Sequence, residues 1–291
     1  MNLGLKEKPV LVLAASDGLG KAAAMELARE GARVTLFARS EDRLKQAQAE
    51  ISEATGEMPE YVVGDITIAA DIRHAVAAAA QRSGSLFALV NNSGGPPAGG
   101  FDAFDDDAWQ KAFELTLLGF IRSIRAVLPL MRAAGAGRIV NFTSSSTRQA
   151  IDNLILSNTF RTGVVGLTKT LARELAPDNI LINVVGPGKM DTARLRSLEA
   201  MRAEKQGIAL EDLQNKSAAE IPLGRYGRPE ELARLAVFLC SAANTYITGQ
   251  TVLADGGLLQ AYLAITVLIK RVFSLTFLLI IVVIFDNFVV Q

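Results

Sequence analysis

Residues 10–20, VLVLAASDGLG, constrain this chain more than any other stretch. Val10 to Ala14 are all apolar, which predicts a strand buried on both faces. Ala15, Ser16, Asp17, Gly18, Leu19 and Gly20 follow as a turn, and residues 21–30, KAAAMELARE, predict a helix with Ala, Met and Leu along one side. A strand, a glycine turn and a helix start together make an anion site. The first-turn N–H groups have no partner within the helix, and its dipole attracts negative charge. Gly18 and Gly20 let a pyrophosphate and the sheet approach bare backbone.

A G-x-G turn also occurs in ordinary loops, so the next strand matters. Residues 33–40, RVTLFARS, end about 20 residues past the glycines, where a dinucleotide fold contacts the adenosine ribose. A carboxylate there would accept from a 2′-hydroxyl. This chain has Ala38, then Arg39 and Ser40, a pattern that suits a 2′-phosphate and favours NADP(H) over NAD(H). Asp17, in the glycine turn, pulls mildly the other way by repelling that phosphate.

Strand and helix patterns alternate to about residue 255. Residues 41–54 read as a charged amphipathic helix, 61–65 as a strand and 68–81 as a helix. Asp65, with Ile66 behind it, stands at that strand's carboxyl end. It either accepts from an adenine amino group or caps the next helix. Residues 86–91 predict a strand entering the loop NNSGGPPAGG, which lies where α/β sheets bind ligands. Residues 105–133 predict one long helix, with Pro129 near its end. Strands at 137–143 and 180–185 flank a helix at 154–176, and residues 192–217 read as a polar, helical lid. A helix at 230–239 and a strand at 251–254 complete a doubly wound parallel sheet, a Rossmann fold, as one domain over residues 1–258.

Composition removes several alternatives. Thirty cations balance thirty acids, which argues against a nucleic-acid partner. Cys240, the single cysteine, excludes an intramolecular disulfide, and with His74 as the single histidine no cluster of the usual metal ligands remains. Ser-His-Asp catalysis is disfavoured on the same ground. The opening MNLGLKEKP lacks the apolar core of a signal peptide, so a cytoplasmic location is expected.

By this point the chain resembles the short-chain dehydrogenase/reductases, and within them the 3-oxoacyl-acyl-carrier-protein reductases. The resemblance spans about residues 8–258. It rests on Gly18–Gly20, Asp65, NNSG at 91–94, Ser144, GPG with Thr192, PLGRYGRPEE at 222–231 and ITGQTVLADGG at 247–257. It implies NAD(P) binding, carbonyl–alcohol hydride transfer on a small-molecule or acyl-thioester substrate, and a homo-oligomer, dimer or tetramer. It also implies that Asn91, Ser93 and Gly94 line the adenosine and ribose, and that Pro187, Gly188 and Thr192 hold the nicotinamide end.

The departures are as informative as the matches. The family's first turn reads T-G-x-x-x-G-x-G, and here Leu13 and Ala14 replace its Thr and first Gly; a negative φ at Ala14 would make that exchange cheap. Its catalytic pattern is Ser, thirteen residues, then Y-x-x-x-K. Counted from Ser144, this falls on Ser157 and Arg161, while the helix asparagine becomes Thr116. A serine hydroxyl has too high a pKa to replace the phenol as acid, and a guanidinium stays protonated. Ser144 can still bind a carbonyl oxygen, and Arg161 the ribose hydroxyls. Asp152 and Lys189 are the other proton-bearing candidates nearby. Three readings stay open: an oxidoreductase with an altered proton donor, a lyase or isomerase on the same fold, and a dinucleotide-binding pseudoenzyme.

After residue 258 the sequence becomes almost wholly apolar. The uninterrupted run at 272–285 would span roughly 21 Å as helix, short of a bilayer core of about 30 Å. A weak membrane association through residues 272–290, a subunit-contact extension and an out-of-frame end are the three readings of this tail.

Overall fold

Period-two burial sorts the strand residues onto two sheet faces. In the computed structural model, which describes residues 1–260, Val10 and Val12 enter one apolar cluster while Leu11 and Leu13 enter the other. Both clusters are covered by helices, which is why each strand reads as an unbroken apolar run. Residues Met1–Leu258 form one compact unit. The tail expectations at 272–290 lie outside the described residues. Among the described residues no helix is long and apolar enough to cross a membrane.

The first half runs β1 (Pro9–Leu13), α1 (Gly18–Arg29), β2 (Arg33–Ala38), α2 (Glu41–Thr55), β3 (Glu60–Val63), α3 (Ala69–Ala80) and β4 (Ala88–Asn91). Next come α4 (Asp106–Phe113), α5 (Gly119–Ala133), β5 (Gly137–Phe142), α6 (Ile155–Leu175) and β6 (Ile180–Pro187). Last are α7 (Ala193–Gln206), α8 (Leu210–Ala219), α9 (Pro229–Leu239) and β7 (Thr251–Ala254). The strands form one parallel sheet in the order β3-β2-β1-β4-β5-β6-β7. The order reverses between β1 and β4, and the crevice at their carboxyl ends is where such sheets bind ligands.

Three local expectations change. The long helix of 105–133 is interrupted by a π turn at Glu114–Leu118, after which α5 continues through Pro129. At the end of that turn Gly119 packs on Ile66; a Cβ there would sit 2.9 Å from the Ile66 side chain and 3.2 Å from the Glu114 carbonyl oxygen. The expected lid is two helices, α7 and α8, parted by Gly207 in the left-handed conformation at φ 64°. Ala14 has φ 49°, so the condition that would have made it a cheap replacement for glycine fails. A left-handed alanine costs about 1–2 kcal/mol. Replacing Ala14 with glycine should therefore stabilise the fold by about 0.5–1 kcal/mol, after the extra chain entropy of glycine is offset. Scanning calorimetry should show Tm rising by about 1–4 °C, and an unchanged or lower Tm would count against strain at this residue.

Candidate active site

The glycine turn joins β1 to α1. Asp17 caps α1, its Oδ1 accepting from the Gly18 N–H at 2.7 Å. A Cβ on Gly20 would stand 2.2 Å from the Ala14 carbonyl oxygen and 2.9 Å from Nδ2 of Asn92, so only glycine lets α1 start this close to the end of β1. Ala15 is buried and its N–H donates to the Phe37 carbonyl at 3.1 Å, while Ser16 and Leu19 are half-buried. Thr192 reaches this turn from far along the chain. It caps α7, and its methyl lies 3.8 Å from where a Gly18 Cβ would be.

Beside the turn, Ser40 caps α2 and Arg39 is exposed, facing Asp65 at 3.8 Å. Asp65 caps no helix: α3 starts after Ile68, with no side-chain cap. Its Oδ1 accepts instead from the N–H and hydroxyl of Thr67, at 2.8 and 2.9 Å, closing a short turn that buries Ile66.

Asn91 is fully buried. Its Nδ2 donates to Asn141 at 2.8 Å, Asn141 donates to Thr168 at 2.9 Å, and the Ser123 hydroxyl donates to Asn91. These contacts tie β4, β5, α5 and α6 together, so the Asn91 side chain anchors the ligand loop rather than lining it. Ser93 donates to the Gly94 carbonyl at 3.1 Å, and Gly94 is open to space. Asn91→Ala would leave buried acceptors and donors unpaired. It should lower stability by about 2–3 kcal/mol in urea unfolding, and a loss below about 0.5 kcal/mol would contradict the anchoring role.

The floor of the crevice forms at the end of β5. Ser144 starts a short 3-10 turn and accepts from the Ser146 N–H at 3.1 Å. On either side of it, Thr143 Oγ1 and Ser146 Oγ are buried with no hydrogen-bond partner among the described residues. Ser157 and Arg161 lie four residues apart on α6, both buried, so they share one helix face. Arg161 Nη1 donates to the Phe142 carbonyl at 3.1 Å. Burial, helped by the nearby Arg194 cation, pushes Arg161 down to about 10. It remains a cation at neutral pH.

The other candidates are placed less centrally. Thr116 sits in the π turn, fully buried, with its hydroxyl donated to the Ala112 carbonyl. Lys189 donates to Glu220 at 2.8 Å and to the Ser217 carbonyl at 3.3 Å, and Asp152 is exposed. Gly188 follows Pro187 at the end of β6, and a Cβ on it would meet Asp255 at 2.6 Å. Tyr226 donates to Glu199 of α7 rather than to the floor, and burial first, then that carboxylate, raises it to about 12.

Over residues 13–259 the sequence matches the family described as Enoyl-(Acyl carrier protein) reductase. The chain belongs to the short-chain dehydrogenase/reductase family. It is 32% identical over 254 residues to the 3-oxoacyl-[acyl-carrier-protein] reductase of Thermotoga maritima, covering 87% of this chain and 98% of that one. Its fold is similar to L-sorbose reductase of Gluconobacter frateurii, solved with NADPH and L-sorbose. That match has a TM-score of 0.85 and 31% identity, over 90% of this chain and 100% of the other. It is also similar to a short-chain oxidoreductase of Pseudomonas aeruginosa PAO1 described as containing an atypical catalytic centre. There the TM-score is 0.81 and the identity 29%, over 89% of this chain and all of the other. As a short-chain dehydrogenase/reductase, the chain keeps the family's parallel sheet.

Two features of the site were not visible in the sequence. The Asn91–Asn141–Thr168 chain joins residues far apart, and no local pattern marks it. Arg194 reads as one of three rim arginines, with Arg148 and Arg196, yet its Nη2 donates to the Pro96 carbonyl at 2.7 Å across the crevice.

Proposed function

We propose that this chain is an NADP(H)-dependent oxidoreductase that interconverts a carbonyl and an alcohol, using a proton donor other than the family's tyrosine. The observation that supports the reading is the approach of Thr192 to the glycine turn, with Ser144 following β5 and Arg161 bonded to the last residue of that strand. The residues fit the coenzyme: a Cβ on Gly18 would meet only the Thr192 methyl, at 3.8 Å, and one on Gly94 nothing within 4 Å, so both backbones are open to a ligand. The NADPH-bound relative supports the same reading. Arg39 would exchange its long contact with Asp65 for a 2′-phosphate. A cytoplasmic homo-oligomer, dimer or tetramer, acting on a small-molecule or acyl-thioester carbonyl, is part of this proposal.

NADPH, when bound, supplies the hydride. Ser144 donates a hydrogen bond to the carbonyl oxygen and stabilises the charge that gathers there. Arg161 would hold the ribose hydroxyls and keep a positive charge at the nicotinamide end; it cannot release a proton at pH 7. Water or Lys189, which pairs with the exposed Glu220, gives the proton.

The test is stopped-flow absorbance of bound NADPH against a panel of ketones, 3-oxoacyl thioesters and 2-oxo acids. Loss of the reduced-nicotinamide signal with any of them supports the proposal. Tight binding without turnover on any would favour the pseudoenzyme reading, to which the serine at position 157 lends weight.

A further inference from the structure

A recess lies at the other edge of the sheet, where β1, β2 and β3 begin. It has a volume of about 60 Å³, room for about four to six waters. Pro9 lines it, while the glycine turn follows Leu13, so the length of β1, about 13 Å, separates it from the crevice. Ala28 and Ala32 close one side and Ala78 and Ala79 of α3 the other, small residues that leave the space unfilled.

Its polar lining comes from one face of the sheet. Thr35 of β2 pairs in register with Glu60 of β3, and two residues further on Phe37 and Val62 both enter the apolar cluster beneath α3. Alternation therefore puts Thr35 and Glu60 side by side on the α3 face. Arg82, just beyond the end of α3, lines the same recess. Thr35 is 4% exposed, yet its hydroxyl has no hydrogen-bond partner among the described residues, a costly state for a group this buried. Glu60 and Arg82 share the recess, yet neither forms an ion pair among the described residues. Arg33, also in the lining, turns away to Glu7, its Nε donating to the Glu7 carbonyl at 2.9 Å.

We propose that this recess binds a short α-amino acid. Its ammonium donates to the Thr35 hydroxyl and the Glu60 carboxylate, beside the negative end of the α3 dipole. Its carboxylate accepts from Arg82, and its side chain lies against Ala28 and Ala32. Opposite charges that line one small space without touching call for a molecule that carries both signs. A simple amine would meet the Arg82 cation uncompensated, and a simple acid would meet Glu60. The volume limits the side chain to about the size of a methyl group. The site is separate from the coenzyme crevice and does not depend on the oxidoreductase reading.

The test is a saturation-transfer NMR titration of the full-length protein with L-alanine, propionate and ethylamine. Propionate is alanine without its ammonium, and ethylamine is alanine without its carboxylate. L-alanine should bind at least about tenfold more tightly than either. Glu60→Gln and Arg82→Gln should each weaken L-alanine about tenfold. Glu60→Gln should leave propionate no weaker, and Arg82→Gln should leave ethylamine no weaker. Both residues are exposed, so neither change threatens the fold. Saturating NADP+ should leave L-alanine in place. No uptake of L-alanine, equal binding of the three probes, or indifference to either variant would overturn the proposal. So would displacement of L-alanine by NADP+, because the amino acid would then occupy the crevice.

Discussion

Replacing Ser157 with tyrosine and Arg161 with lysine together should give ordinary ketoreductase turnover on neutral ketones, about 10²- to 10⁴-fold above the parent chain. That is the range a positioned general acid contributes. The reason lies in what the floor already holds. Ser144 is in place at the end of β5, residues 157 and 161 share one face of α6, and the glycine turn follows β1 at the same carboxyl edge of the sheet. A phenol at 157 would have an ammonium one helical turn away to lower its pKa toward neutrality. Neither single change should suffice. Tyrosine beside a buried guanidinium has a crowded site, and lysine beside serine has no acid to tune. The readout is NADPH oxidation in the stopped-flow spectrometer. A double variant that binds NADPH as the parent does, yet stays inert on every ketone, would show that more than the acid is missing.

The second large effect is expected at Gly20. A Cβ placed 2.2 Å from the Ala14 carbonyl oxygen meets backbone, which cannot swing away as a side chain could. Ala14 is already strained at φ 49°, so the turn has little left to yield. Gly20→Ala should cost about 3 kcal/mol, the upper end for overpacking, and lower Tm by about 6–12 °C. Coenzyme uptake should fall below detection, because the displaced helix start no longer aims its N–H groups at the diphosphate. Gly166→Ala is the control, with nothing within 4 Å of the added methyl inside α6. It should be neutral or stabilise by up to about 1 kcal/mol. Two glycine variants that behave alike would remove the case for a tight turn.

The sheet was legible because each strand is a short apolar run bounded by turn residues, and β7 falls at 251–254 as its pattern indicates. The crevice was legible for the same reason, since it lies where those strands end. What the sequence could not show is how backbone and side chains share the work there. Ala14 looks harmless in sequence; its left-handed φ, with Gly20 of α1 packed on its carbonyl, shows only in the structure. The π turn around Thr116 ends where Gly119 packs on Ile66 of another segment, a contact that no periodicity within 105–133 encodes. Asp65 and Asn91 carry readable motif identities, yet both spend their side chains on protein partners. Arg194 is one surface arginine among many until the Pro96 carbonyl across the crevice is seen.

The account stands on the crevice still binding a phosphorylated nicotinamide coenzyme without the family's tyrosine and lysine. Isothermal titration of the full chain with NADPH and with NADH measures this directly. One NADPH per chain, bound more tightly than NADH, is the predicted result. No heat of binding from either coenzyme at millimolar concentration would contradict it.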